Sequence, residues 1–161
     1  MDKSKLERAM NTVVEGTKDA VLPKLGPGDD IATILFLLDK DGMITKIINL
    51  VTMGDIPPSV IEDALKETIQ KYDAEGYIVQ STMWFVNVKE RDLSNVVRPS
   101  LNPDRGECYV LAAGSRTDTA FWSFEIIRKD GKIVQLEPQD LTEADTIGLF
   151  QNLMGEAPTV H

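Results

Sequence analysis

Two carboxylates three residues apart, Asp104 and Glu107, stand among two guanidinium groups, Arg98 and Arg105, in the stretch VVRPSLNPDRGECYVLAA at residues 96–113. Paired carboxylates can hold a divalent cation that activates water, whereas carboxylates interleaved with arginines can neutralise one another without any ligand. Pro99 and Pro103 restrict the backbone around Ser100, Leu101 and Asn102, so these charges are presented with less disorder than a loop usually allows. The preferred reading is a clamp in which Arg98 or Arg105 pairs with Asp104 or Glu107 and pins the loop to the following strand. A second reading makes Arg98, Ser100, Asp104, Arg105 and Glu107 a contact surface for a partner. A third is a hydrolase site in which Asp104 and Glu107 share a divalent cation supplied from outside.

Other chemistry finds little support. The only histidine is the terminal His161, which removes Ser-His-Asp and Cys-His mechanisms and histidine-based zinc sites. The only cysteine, Cys108, lies in an apolar run and reads as a small buried hydrophobe rather than a nucleophile. Asp39-Lys40-Asp41-Gly42 hints at a calcium loop, but Met43 occupies the next acidic position and no glutamate follows at the twelfth. GPGDD lacks the Lys-Ser/Thr and the strand-to-helix setting of a phosphate loop. No cofactor and no resident metal are expected.

The elements that must position these residues follow from periodicity and turn chemistry. Over residues 5–22, Leu6, Met10, Val13, Val14, Thr17, Ala20 and Val21 recur at helical spacing, with Pro23 as the stop. Two β-rich runs flank Asp41-Gly42 and two more flank Asp130-Gly131, which predicts two hairpins with the same turn chemistry. Between them, Ser59 and Glu62 have capping-box spacing ahead of an Ile61, Leu65, Ile69, Tyr72 stripe closed by Gly76. The run YIVQSTMWFVNV is apolar on both faces and predicts a central strand, with Trp84, like Trp122, in the core. Thr142 opens a last helix closed by Gly155. The expected order is α-β-β-α-β-β-β-β-α: an α+β domain over residues 1–155 with a largely antiparallel sheet of about six strands, helices mainly on one face, and a loose tail at 156–161.

The loop RPSLNPDRGE, the later WSFEIIRKDG and the strand segment STMW together resemble a family of small uncharacterised bacterial and phage-borne proteins. Its members carry a Pro-Ser-x-x-Pro-Asp-Arg-x-Glu loop and an Ile-x-Arg-Asp-Gly-like hairpin. The likeness covers roughly residues 31–137. It implies the same order of elements and a phage or mobile-element origin, and no activity. Where that family commonly has Glu-Ala-Trp, this chain has Thr82-Met83-Trp84.

Composition narrows the classes further. The net charge is -9, and from Glu137 onward there are five acids and no Lys or Arg, a surface that repels phosphate backbones. Direct nucleic-acid binding is not expected, although an acidic mimic that occupies a basic partner is a minor alternative. The apolar runs are far shorter than the roughly 20 residues of a membrane helix, and the charged N-terminus lacks a signal peptide's apolar core. The reading is a cytoplasmic, non-catalytic module that binds a protein partner or its own copy, with no membrane association.

Overall fold

The structure, a computed structural model, describes residues 1–50, 58–85, 106–139 and 153–154, without the side chains at 58, 84 and 85. Asp2 caps the first helix, α1 (Lys3–Gly16), its side chain accepting from the Lys5 amide at 3.0 Å. A π-helical turn (Thr17–Val21) and a short 3-10 turn (Leu22–Lys24) continue it, with Pro23 inside the latter. The π turn inserts one extra residue, so the buried stripe passes from Thr17 to Leu22 while Ala20 is exposed and Val21 half-buried. That phase shift is why the strict helical spacing misplaced Ala20 and Val21.

Six strands follow: β1 (Ile34–Leu38), β2 (Ile44–Asn49), β3 (Gly76–Phe85), β4 (Gly106–Ser115), β5 (Thr119–Lys129) and β6 (Lys132–Gln139). They form one sheet in the order β2-β1-β3-β4-β5-β6, and every neighbouring pair is antiparallel. The fold is therefore α+β, in the expected element order up to the last strand. Because β2 and β3 flank β1 on opposite sides, they run parallel to each other, and the chain must cross over β1 to join them. Helix α2 (Pro58–Lys71) lies in that crossover.

The expectation that the helices cover mainly one face is corrected. Leu6, Met10, Val13 and Val14 of α1 pack on Phe36, Leu38, Ile78, Tyr109 and Leu111, whereas Ile61, Leu65 and Ile69 of α2 pack on Leu35, Leu37, Tyr77 and Val79 of the opposite face. The cause lies in ILFLL of β1, which alternates its side chains between two faces that are both apolar, so each face needs a cover. β3 is central as expected, and among its described side chains Tyr77, Ile78 and Val79 are fully buried.

Turn details also depart from the expected pattern. The two hairpins differ. Asp130 (φ 54°) and Gly131 (φ 82°) are both left-handed, as a two-residue turn requires. In the first, only Gly42 is left-handed, and Asp39 organises a longer loop by accepting from the amides of Asp41 and Met43 at 2.9 and 3.0 Å. Helix α2 begins at Pro58, so Ser59 lies inside its first turn instead of capping it. Its last helical residue is Lys71, and the left-handed residue that closes it is Asp73 (φ 50°), not Gly76, which is the first residue of β3. The amides of Asp73 and Ala74 donate to the Gln70 and Ile69 carbonyls at 3.1 and 3.2 Å, a Schellman closure with aspartate in the left-handed seat. The helix expected from Thr142, its stop at Gly155 and the 156–161 tail lie outside the described residues, although Leu153 is buried against the α2 face and its amide donates to the Tyr77 hydroxyl at 3.1 Å.

Candidate functional site

Of the five residues singled out in the loop, Glu107 is described, at the start of β4; Arg98, Ser100, Asp104 and Arg105 lie outside the described residues. Strand alternation puts Glu107 and Arg128 of β5 on the same face as α1. There Arg128 Nε donates to Glu107 Oε1 at 2.8 Å and Nη2 to Oε2 at 3.0 Å, a bidentate fork. Arg128 also donates through Nη2 to Asp30 Oδ1, and through Nη1 to the carbonyls of Asp29 (3.2 Å) and Gly131 (2.7 Å). All five N–H donors of the guanidinium are thus engaged. The bonds to Glu107 raise the Arg128 pKa above its ordinary value, opposed by partial desolvation and helped by the charges of Glu107 and Asp30.

This arrangement ties three pieces of chain together. Glu107 comes from β4, Arg128 from β5, and Asp29 and Asp30 from the segment entering β1, whose Gly28 amide also donates to Gly131 O at 3.0 Å. The clamp expected within the loop, with Arg98 or Arg105 as its cation, falls on residues outside the described ones, whereas the Glu107–Arg128 fork is a clamp between β4 and β5 that sequence proximity could not indicate. Both Glu107 oxygens are spent on it. A cation shared between Asp104 and Glu107 would have to displace the fork first. Among the described residues no three His, Cys, Asp or Glu side chains are grouped to hold a metal.

A second polar group is fully enclosed beneath α1. The Tyr109 hydroxyl donates to Gln80 Oε1 at 2.7 Å, Thr17 Oγ1 lies 3.4 Å from the same oxygen and 3.3 Å from the hydroxyl, and Gln80 Nε2 donates to Ala32 O at 3.0 Å. Burial pushes the tyrosine hydroxyl pKa well up. Gln80 was visible in the sequence as the amide in an apolar alternation, yet only the structure pairs it with Thr17 of the π turn. Cys108 is fully buried, as expected, and burial pushes its thiol up to about 11. Trp122 is half-buried at the margin of the core, and the Trp84 side chain lies outside the described residues.

The most open feature is the β2 edge, which no described strand covers. Leu50 N donates to Thr33 O at 2.9 Å, in register with the Leu35↔Ile48 and Leu37↔Lys46 pairs. Bonded and non-bonded pairs alternate in an antiparallel ladder, so Ile48 and Lys46 turn their backbone groups toward β1 while Ile47 and Asn49 turn theirs outward. Ile47 is 65% exposed, an isoleucine on a short β-branched edge strand. Lys46, the one charge on β2, does not guard that edge: its Nζ lies 4.3 Å from the centroid of the Tyr72 ring at the end of α2. Both edges carry a bulge, β2 at Thr45, where the register slips between Leu37 and Leu38, and β6 opposite Ile127 and Arg128; β6 is blunted further by Pro138, which has no amide to donate.

The residues thus define an α+β protein with a six-stranded antiparallel sheet between two helices, whose β2 edge no described strand covers from Lys46 to Asn49. The chain matches no family model, no curated protein and no solved structure. No helix among the described residues is long and apolar enough to cross a membrane.

Proposed function

We propose that this protein is a non-catalytic interaction module that takes up a partner strand along the β2 edge. The observation that supports this is the pairing of outward backbone groups at Ile47 and Asn49 with the exposed Ile47 side chain on a strand whose only lysine is drawn back onto Tyr72. Strand addition draws affinity from main-chain hydrogen bonds and specificity from alternate side chains, and both are on offer here. The partner is a polypeptide, since a net charge of -9 disfavours a phosphate backbone.

The test compares affinity capture by the wild-type protein with capture by Ile47→Asp, which keeps an exposed position exposed but puts a carboxylate on the edge. The expected result is one or more proteins retained by the wild type and lost from the variant. Identical captured sets, or a gain in melting temperature of the wild type with Mg²⁺ or Mn²⁺ that Glu107→Gln abolishes, would overturn the reading in favour of a metal-dependent site.

A further inference from the structure

We infer that the cleft between the π turn and β6 binds a small aliphatic carboxylate, with its chain on the apolar floor and its anion at Lys18 and Lys132. The cleft lies at the far side of the sheet from β2, so the inference does not depend on strand addition there. Its shape comes from two irregularities that meet. Strand alternation puts residues two apart on one face, yet Ile133 and Leu136, three apart, are both buried in the core beneath α1. The register gives the reason: Arg128 pairs with Ile133 and Ile127 with Gln135, so Val134 is an extra, bulged residue, 49% exposed at the cleft. Across from it, the π turn shifts the helical phase so that Leu22 joins the buried stripe and lines the opposite wall. Bulges and π turns both interrupt regular bonding and recur beside functional sites, and here one of each borders the same space.

The cleft holds about 490 Å³, a size suited to a small molecule. Leu22, Ile133 and Leu136 make its floor apolar, and the charged residues lining it, Lys18 and Lys132, are both cations in a chain of net charge -9. Both lysines are half-buried, and neither forms an ion pair among the described residues. Lys18 Nζ instead lies 5.9 Å from the centroid of the Phe124 ring, at the margin of the same core. Two unpaired ammonium groups beside an apolar floor complement one anion carried on a hydrocarbon chain, each ammonium donating to a carboxylate oxygen. A neutral or cationic ligand would leave both charges unanswered.

Titration of the protein with octanoate, octanol and octylammonium, followed by amide and methyl chemical shifts, tests this. Octanoate should bind saturably with a dissociation constant of about 1 mM or below, and the shifts should centre on Leu22, Ile133 and Leu136. Octanol, which has the chain without the charge, should bind at least about fivefold more weakly, and octylammonium should not saturate. Added salt should weaken octanoate relative to octanol. Lys18→Met and Lys132→Met, which keep an apolar stem, should each weaken octanoate about three- to tenfold and leave octanol unchanged. The head-group series is read on the wild type, so it stands whether or not a variant folds. Octanoate that fails to saturate, equal affinities for octanoate and octanol, shifts centred elsewhere, or folded lysine variants that bind octanoate as tightly as the parent would each overturn the inference.

Discussion

Replacing Arg128 with methionine keeps most of the side-chain volume and removes five hydrogen bonds at once, one to each guanidinium N–H. The side chains of Arg128 and Glu107 are 21% and 20% exposed, so the pair lies between two limits. A fully exposed pair contributes about 0–1 kcal/mol, and breaking a fully buried one costs about 3–5 kcal/mol. The bidentate geometry and the two carbonyl contacts place the expected loss at about 2–3 kcal/mol. Asp30, 64% exposed, accounts for less than about 1 kcal/mol of it. At this chain length each kcal/mol moves the melting temperature by about 2–4 °C, so Arg128→Met should melt roughly 4–12 °C lower. The assay is urea unfolding of Arg128→Met, Glu107→Gln and the double variant. A coupling of about 1–2 kcal/mol is expected between the two sites. Arg128→Lys should recover at most half of the loss, because an ammonium cannot reproduce the fork. Additive losses, with coupling below about 0.5 kcal/mol, would refute the clamp and make the contacts incidental.

Three further outcomes follow from the packing. Tyr109→Phe should cost about 1–3 kcal/mol in urea unfolding, because Gln80 Oε1 would keep only the 3.4 Å approach of Thr17; an unchanged midpoint would contradict the buried network. Burial holds the Cys108 thiol at about 11 against an ordinary 9.0, so the folded state keeps its proton where the unfolded chain loses it. Stability from this source is complete below pH 9 and falls as pH rises toward 11, by up to about 2 kcal/mol, and Cys108→Ala should flatten that slope relative to the parent; parallel slopes would contradict it. Gly114→Ala should cost about 1–3 kcal/mol, since a Cβ there would meet the Tyr77 ring and hydroxyl at 2.8 Å, and a variant that melts with the parent would show that the ring yields freely.

What could be read in advance was whatever one segment decides for itself. Asp130-Gly131 announces a tight turn because both residues accept left-handed backbone, and the Ile61, Leu65, Ile69 stripe announces a helix face because the period is local. Cys108 is buried for the reason its apolar neighbours gave. The misses share a different cause. The π turn at Thr17 has no composition signature, and it exists where Thr17 can reach Tyr109 and Gln80, residues distant in sequence. The side of the sheet that α2 covers depends on the crossover from β2 to β3, which hairpin counting does not reveal. Glu107 has its partner Arg128 21 residues on and meets it only through the β4–β5 register, which no local pattern announces. The open edge was invisible for the same reason, since ITKIIN becomes an edge only once β1 has chosen β3 as its other neighbour.

The central claim is that the outer side of β2 is free to receive a strand, and amide hydrogen exchange read residue by residue tests it most directly. In dilute protein the Ile47 and Asn49 amides should exchange quickly while those of Lys46 and Ile48 are protected by β1. Ile47 and Asn49 amides as protected as those of Lys46 and Ile48 in dilute protein would mean that the edge is already covered within the chain, and would contradict the account.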